Sequence, residues 1–372
     1  MSNKFPDNFL WGASSASYQV EGGITNDWSM ASDDGKVPPA GKATNHYNLY
    51  EKDFDIAKEL NHNAHRLSIE WARIEPEKGK YNQDEIGHYR DVINALKDRN
   101  IKPFVTLWHF TLPIWFSKAG GFEKKDSPEI FSKYAKFVVE NLNDLCDNWI
   151  TINEPIIYAN QGYIRGIWPP FKKFKLFKFI KVANNLVKAH KKSYEIIKKI
   201  DNKNKVGVAK HNIFFEGIPL MKRYWNNRFL KKIINHQDFI GLNHYFHNKF
   251  PRVKKKKVSD VGWEIYPEAI YHVIKELKEY NKPIYITENG LADAKDSMRA
   301  DFIHDYLKQI KKAINEGCDV RGYLHWALTD NFEWSHGYKP RFGLVEINYE
   351  TQERTIRDSA KYYAEVIKKN SL

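Results

Sequence analysis

The sequence predicts an α/β fold, specifically a single (β/α)8 TIM barrel that forms one domain over residues 1–372. Three observations support this prediction. Eight short apolar segments recur along the chain, amphipathic stretches lie between them, and polar residues collect where the apolar segments end. Apolar strands that alternate with amphipathic helices are typical of a parallel sheet covered by helices. Eight such units favour a closed barrel over an open sheet.

The predicted strands are runs rich in β-branched and aromatic residues. They are 9–18, 64–71, 102–110, 148–155, 205–212, 238–245, 283–290 and 320–330. Apolar residues spaced three to four apart predict helices at 48–60, 84–99, 128–142, 178–200, 267–280, 297–315 and 358–369. In such a barrel the chemistry lies at the carboxyl ends of the strands.

The composition excludes several classes of protein. Hydrophobic residues make up 42% and charged residues 28% of the chain, which excludes a disordered protein. The two cysteines, Cys146 and Cys318, exclude a disulfide scaffold and a C-x-x-C metal site. No apolar stretch is long enough to span a membrane, and the N-terminus lacks the apolar core of a signal peptide. We therefore expect a cytoplasmic protein with no integral membrane association.

The formal net charge is +13, which raises the question of nucleic-acid binding. The basic runs at 172–181 and 254–257 lie far apart in the sequence, and no nucleic-acid motif accompanies them. We interpret the excess of lysine as a solvated surface and expect no nucleic-acid partner.

Two of the predicted strands end in the same way. The motif T-I-N-E-P places Glu154 at the end of the fourth strand, and I-T-E-N-G places Glu288 at the end of the seventh. Two glutamates that face one cavity suit the cleavage of a glycosidic bond, because one protonates the leaving oxygen and the other attacks the anomeric carbon or activates water. Arg66, at the end of the second strand, would keep Glu288 ionised.

The alternative interpretation is that these glutamates form ion pairs at the rim of the barrel. Asn153, Arg66 and the many aromatic residues nearby argue against it. The sequence has no H-E-x-x-H, G-x-G-x-x-G, P-loop or G-x-S-x-G motif. We therefore predict neither a metal nor an organic cofactor.

At these residues the sequence resembles the retaining β-glycosidases of glycoside hydrolase family 1. The resemblance rests on six motifs in family order between Phe9 and Tyr349. They are F-L-W-G-A-S-S-A-S-Y-Q-V-E-G, H-R-L-S-I-E-W-A-R-I, T-I-N-E-P, I-G-L-N-H-Y, Y-I-T-E-N-G and W-A-L-T-D-N-F-E-W-S-H-G-Y-K-P-R-F-G. It implies hydrolysis of terminal β-D-glucosyl residues, and of galactosyl or fucosyl residues, in small β-glycosides.

The resemblance also assigns roles to residues. Glu154 matches the general acid/base and Glu288 the nucleophile, while Arg66, Tyr245 and Asn243 would orient the nucleophile. Substrate-binding roles fall on Gln19, His109, Asn153, Trp326, Glu333, Trp334 and Phe342. The implied mechanism passes through a covalent glycosyl-enzyme, and acceptor alcohols or sugars would intercept it by transglycosylation.

One position bears on phosphorylated substrates. In the 6-phospho-glycosidases of the family a serine takes the place of Glu333, and lysine and tyrosine stand where this chain has Pro340 and Phe342. A carboxylate at 333 would repel a phosphate, so the resemblance implies an unphosphorylated sugar.

The chain is shorter than is usual in the family, in the loops after the fourth strand and around the fifth and sixth. We expect a more open cleft, or a cleft closed by another subunit in a homo-oligomer. A catalytically weak or inactive sugar-binding barrel is the alternative function.

The segment 171–181, F-K-K-F-K-L-F-K-F-I-K, lies at a shortened loop. Its phenylalanines have helical spacing, and we favour packing of this apolar face on the barrel over contact with an anionic surface or a partner.

Overall fold

The computed structural model describes residues 4–251 and 257–372. Eight parallel strands form a closed barrel in the order in which they occur along the chain. They are β1 (Leu10–Ser14), β2 (Ala64–Ser68), β3 (Lys102–Thr106), β4 (Asn148–Asn153), β5 (Lys205–His211), β6 (Phe239–Asn243), β7 (Ile284–Asn289) and β8 (Val320–Trp326). β8 pairs with β1, with Leu10 opposite Gly322 and Ser14 opposite Trp326, and this pairing closes the barrel.

One helix follows each strand on the outside of the barrel. The helices are α1 (His46–Glu59), α2 (Gln83–Asp98), α3 (Ser127–Leu142), α4 (Leu176–Ile200), α5 (Arg228–Ile233), α6 (Glu268–Leu277), α7 (Arg299–Asn315) and α8 (Asp358–Lys369). The predicted (β/α)8 barrel is confirmed. The strands are shorter than the predicted segments, because residues such as Glu70, His109 and Glu154 already belong to the connecting loops.

Shorter elements lie in these connections. Helical turns occupy Ser17–Val20, Asp27–Asp33, Trp71–Ile74, Ile114–Lys118, Gly121–Glu123, Pro155–Asn160, Gln161–Arg165, Pro219–Met221, Lys222–Asn227, Ile234–His236, Lys278–Tyr280 and Trp334–His336. Two small sheets pair Phe214–Glu216 with His247–Lys249 and Val345–Ile347 with Arg354–Ile356.

The hydrophobic core has two parts. Inside the barrel, each strand contributes one side chain to a single cluster, formed by Leu10, Ala64, Phe104, Ile150, Ala209, Phe239, Tyr285 and Leu324. A larger core fills the space between the strands and the helices. The interior cluster closes the barrel below the rim, so a ligand can enter only at the carboxyl ends of the strands.

The segment that precedes α4 differs from the expectation. Phe179 is buried, but Phe174 and Phe177 are 77% and 87% exposed. The prediction that this whole apolar face packs on the barrel is therefore wrong. Helical spacing correctly predicted that one side of the helix would be buried, but α4 begins at Leu176 and turns Phe177 away from the core.

None of the helices in the two described ranges is long and apolar enough to cross a membrane.

Candidate active site

A pocket opens at the carboxyl ends of the strands. Many of the residues singled out from the sequence line it, namely Gln19, His109, Glu154, Tyr245, Glu288, Trp326, Glu333, Trp334 and Phe342. Arg66, Asn153 and Asn243 are fully buried next to these residues and contact them by hydrogen bonds. The strand ends therefore bring the twelve predicted side chains together.

Glu288 lies near the end of β7, between two hydrogen-bond donors. Arg66 of β2 forms an ion pair with Oε1, and the Tyr245 hydroxyl donates to Oε2 at 2.9 Å. Burial raises the pKa of Tyr245 well above its usual value, so the hydroxyl keeps its proton and donates it. Burial also raises the pKa of Glu288, and the Arg66 guanidinium and the Tyr245 hydroxyl oppose that increase. Two donors, one of them a cation, thus favour the carboxylate form.

The glycine of I-T-E-N-G has a steric reason. A Cβ atom at Gly290 would lie 1.9 Å from the carbonyl oxygen of Trp326, a distance that no side chain tolerates. Glycine at this position therefore lets the backbone after Glu288 pass close to the end of β8.

A chain of hydrogen bonds through Asn243, Asn153 and Arg66 connects the two glutamates. The Thr287 hydroxyl donates to Asn243 Oδ1 at 2.7 Å, which leaves Asn243 Nδ2 to donate to Glu154 Oε1 at 2.8 Å and to Asn153 Oδ1 at 3.1 Å. Arg66 also donates to Asn153 Oδ1, at 2.7 Å. These contacts fix the orientation of both amides.

The same chain assigns the tautomer of His109. Because Asn153 Oδ1 accepts two hydrogen bonds, its Nδ2 faces His109 Nε2, at 3.1 Å, and donates to it. Burial lowers the pKa of His109 well below its usual value, so the ring is neutral and carries its proton on Nδ1. This buried Nδ1 has no partner within the described residues and is a donor that a ligand can use.

Glu154 lies between β4 and the helical turn that begins at Pro155. Its φ is 40° and its ψ is 59°, a left-handed conformation that is unusual for a residue other than glycine. Its N–H donates to the carbonyl of Ala209 on β5, at 2.8 Å. Burial and the nearby charge of Glu288 raise its pKa to about 8, while the Asn243 hydrogen bond opposes the increase. Of the two glutamates, Glu154 therefore has the environment that more strongly favours the protonated form.

The far end of the pocket carries polar atoms among aromatic rings. Trp326 Nε1 donates to Glu333 Oε1 at 3.0 Å, and burial raises the pKa of Glu333 to about 8. Gln19 Nε2 donates to Asn331 Oδ1 and to the carbonyl of Phe332, at 3.0 and 2.8 Å. Gln19 Oε1 is buried without a partner in the described part of the chain. This end therefore offers acceptors and donors for hydroxyl groups.

The structure adds residues that the sequence analysis missed. His211, Gln161, Trp168 and Trp263 also line the pocket. His211 is buried, both of its ring nitrogens lack partners in the described ranges, and its ring is parallel to that of Tyr245 at 6.2 Å. Alternation along β5 could have identified it, because Ala209 and His211 point to the same side of the strand.

Other polar residues near strand ends do not line this pocket. Asp330 forms ion pairs with Arg357 and Arg341, and Glu21 forms one with Arg73. Asn289 donates to the carbonyl of His244 at 2.8 Å. His244, next to Asn243, packs against Tyr306 of α7 and so points away from the cavity, as strand alternation predicts. These groups fix loops and helices around the site.

In the described ranges, no group of three or more His, Cys, Asp or Glu side chains has an arrangement that could hold a metal ion.

The sequence and the fold are similar to those of known glycosidases. The model of glycosyl hydrolase family 1 matches residues 1–219 and 221–372. A 1,4-beta-D-glucan glucohydrolase of Thermotoga neapolitana is 33% identical over 441 aligned residues, which cover 99% of both chains.

Two solved structures are also similar. A beta-glycosidase from Pyrococcus horikoshii is 37% identical with a TM-score of 0.93, over 100% of this chain and 96% of the other. The beta-glucosidase from Thermotoga maritima in complex with noeuromycin is 32% identical with a TM-score of 0.93, over 100% of both chains. The alignment with the glucan glucohydrolase spans 441 positions, more than the 372 residues of this chain, so it contains gaps in this chain.

Proposed function

The chain belongs to glycosyl hydrolase family 1 and is a glycoside hydrolase of the β-glucosidase type; from this premise we propose that it cleaves terminal β-D-glucosyl residues from small β-glycosides with retention of configuration. β-D-Galactosyl and β-D-fucosyl residues are the further substrates of this proposal. The observation that carries it is the unequal environment of the two buried glutamates. One is ion-paired with Arg66, and the other has a pKa raised to about 8.

Glu288 is the nucleophile in this proposal. Its ionised oxygen attacks the anomeric carbon and forms an ester bond, while the bond from that carbon to the leaving oxygen breaks. The Arg66 guanidinium and the Tyr245 hydroxyl hold the carboxylate in one orientation, which supports attack along a single line.

Glu154 is the general acid and then the general base. It gives its proton to the leaving oxygen, so the aglycone departs as a neutral alcohol. The resulting carboxylate takes a proton from water, whose oxygen attacks the anomeric carbon and displaces Glu288. The sugar leaves and Glu154 is protonated again, so the cycle balances. An acceptor alcohol in place of water gives transglycosylation.

In this proposal the sugar is bound by Glu333 and by two polar atoms that have no hydrogen-bond partner among the described residues. His109 Nδ1 supplies a donor, Gln19 Oε1 an acceptor and Glu333 a carboxyl group, and each suits a hydroxyl. Trp326 supplies an aromatic face for the C–H groups of the ring. In this proposal Asn153, which Arg66 and Asn243 hold in one orientation, contacts the 2-hydroxyl, and this contact strengthens in the transition state.

The roles of the glutamates are tested with Glu288→Ala and Glu154→Ala on nitrophenyl β-D-glucoside and β-D-galactoside. We expect each substitution to reduce turnover without azide by about 10³-fold or more. Azide should rescue Glu288→Ala by direct attack and give the inverted α-glycosyl azide. It should rescue Glu154→Ala by intercepting the covalent intermediate and give the β-glycosyl azide.

The alternative function, a sugar-binding barrel without useful turnover, gives a different result. Folded wild-type protein would then bind glucose in calorimetry but release no nitrophenol. If Glu288→Ala instead gave the β-glycosyl azide and Glu154→Ala the α-glycosyl azide, the roles assigned to the two glutamates would be reversed.

A further inference from the structure

A basic, apolar surface lies outside the catalytic pocket. Its apolar part consists of Phe174, Leu176 and Phe177 around the start of α4, together with Leu220 and Met221 after β5. Their exposed fractions are 77%, 53%, 87%, 79% and 42%. We call this surface the basic apolar rim. Large apolar side chains exposed in two segments of one surface are characteristic of an interaction site.

The two segments are neighbours in the fold. Phe179 of α4 stacks on Tyr224, which follows Leu220 and Met221, with ring centroids 6.3 Å apart. α5 also packs against α4. A shallow groove runs along the second segment and is lined by Leu220, Met221 and Tyr224 together with basic side chains. The exposed apolar residues therefore belong to one side of the barrel.

Seven exposed cations of this surface have no acidic partner among the described residues. The exposed basic residues are Lys173, Lys175, Lys181, Arg223, Arg228, Lys231 and Lys232. Within the described ranges none of them forms a salt bridge, whereas the carboxylates that border the rim are already paired. Glu123 pairs with Lys172 and Lys178, and Glu276 pairs with Lys222. The rim thus presents unneutralised positive charge beside exposed apolar groups.

The rim is connected to the wall of the catalytic pocket. The N–H groups of Phe174 and Lys175 donate to the carbonyls of Ile164 and Tyr163, at 3.0 and 2.7 Å. The turn Gln161–Arg165, which contains these carbonyls, supplies Gln161 and Arg165 to the pocket. A surface bound to the rim therefore lies next to the pocket opening.

We propose that the basic apolar rim docks on a lipid bilayer that contains anionic lipids. Exposed phenylalanine and leucine side chains insert at the boundary between headgroups and acyl chains, and lysine and arginine attract the anionic headgroups. The strength of such binding increases with the buried apolar area and with the electrostatic attraction to anionic lipids, and the rim offers both.

Two other occupants fit less well. A second copy bound through the same surface would bring the unpaired cations face to face, which repels. Single-stranded nucleic acid is bound by cations and stacking rings, but Leu176, Leu220 and Met221 offer no ring for a base. The aliphatic and basic side chains together favour lipid.

The proposal is tested by flotation with vesicles of phosphatidylcholine alone and with phosphatidylserine added. The full chain should float only with the anionic vesicles, and binding should weaken as salt rises from roughly 0.1 to 0.5 M. The double variant Phe174→Ser/Phe177→Ser should bind at least about tenfold more weakly. Lys231→Gln/Lys232→Gln should weaken binding at low salt.

The matched control is Lys52→Gln/Lys58→Gln, which removes the same charge from two exposed lysines of α1 without salt bridges. It should bind vesicles like the wild type, and all variants should keep wild-type turnover. The assay needs no turnover, so its result is independent of the proposed function. Equal binding to both vesicle types, no binding, an equal loss in the control, or a rim-dependent dimer or oligonucleotide complex without flotation would each overturn the proposal.

Discussion

Asn243 Nδ2 lies 2.8 Å from Glu154 Oε1, so the amide at the end of β6 contacts the carboxyl that follows β4. This hydrogen bond favours the charged form of Glu154 and opposes the increase of its pKa caused by burial. The contact therefore influences the pH above which Glu154, the proposed general acid, loses its proton.

We predict that Asn243→Leu raises the pKa of Glu154 above its value of about 8. The high-pH limb of kcat/KM, which reports the free enzyme, should move to higher pH because the proton is held more tightly. The plateau should fall by about tenfold, since Asn153 also loses a donor. Asn185→Leu removes a buried amide that bonds the carbonyls of Phe122 and Lys124 instead, and it should leave the limb in place. An unshifted limb in Asn243→Leu would contradict the assignment.

His211, which lines the pocket next to Tyr245, is the subject of a second prediction, in which we propose that it contacts the leaving group. It ends β5, next to the strand that carries Glu154, and both of its nitrogens lack partners in the described ranges. We predict that His211→Phe lowers kcat/KM for a β-linked disaccharide by about tenfold, because one hydrogen bond to a hydroxyl is lost. Hydrolysis of nitrophenyl glucoside should change little. An equal loss on both substrates would indicate that His211 only supports the fold.

Substrate phosphorylation provides a third prediction. The pocket around Glu333 contains Trp326, Trp334 and Phe342, and no lysine lines the described pocket. Its one arginine is Arg165, on the turn that supports the basic apolar rim. We predict that nitrophenyl glucoside 6-phosphate is cleaved at least about 100-fold more slowly than nitrophenyl glucoside. Faster cleavage of the phosphate, measured by nitrophenol release, would reject this specificity.

The ion pair between Asp330 and Arg357 connects the loop after β8 to the start of α8. Asp330 is fully buried and Arg357 donates to both of its oxygens at 2.9 Å. Arg357→Met should lower the free energy of unfolding by about 3 kcal/mol, because it leaves the buried carboxylate with Arg341 as its ion-pair partner and the N–H of Gly343 as a hydrogen-bond donor. Urea denaturation measures the change.

The matched control for that substitution is Arg321→Met, which breaks an equally short but exposed pair with Asp319. It should change stability by less than about 1 kcal/mol. Similar losses in the two variants would mean that burial does not determine the contribution of the Asp330 pair.

The barrel could be predicted from the sequence because each strand is a short apolar run that ends in polar residues. The two glutamates of the site could also be predicted, because Glu154 and Glu288 each follow such a run directly. The burial of α4 was only partly predictable, since helical spacing identifies an apolar face but not the residue at which a helix starts. His211 could be identified only from the alternation of side chains along β5, since it belongs to none of the six motifs. Glu21 and Asp330 show that polar residues at strand ends also form structural ion pairs.

The amide chain from Thr287 through Asn243 to Asn153 has a practical consequence. Thr287, Asn243 and Asn153 lie on strands and hold one another there, so the barrel rather than the longer connecting segments sets their orientation. The protein is therefore a small scaffold for engineering, in which segments from longer relatives can be grafted after β4, β5 and β6 to redesign selectivity. Each graft would change the surroundings of the aglycone while the chemical machinery stays as it is.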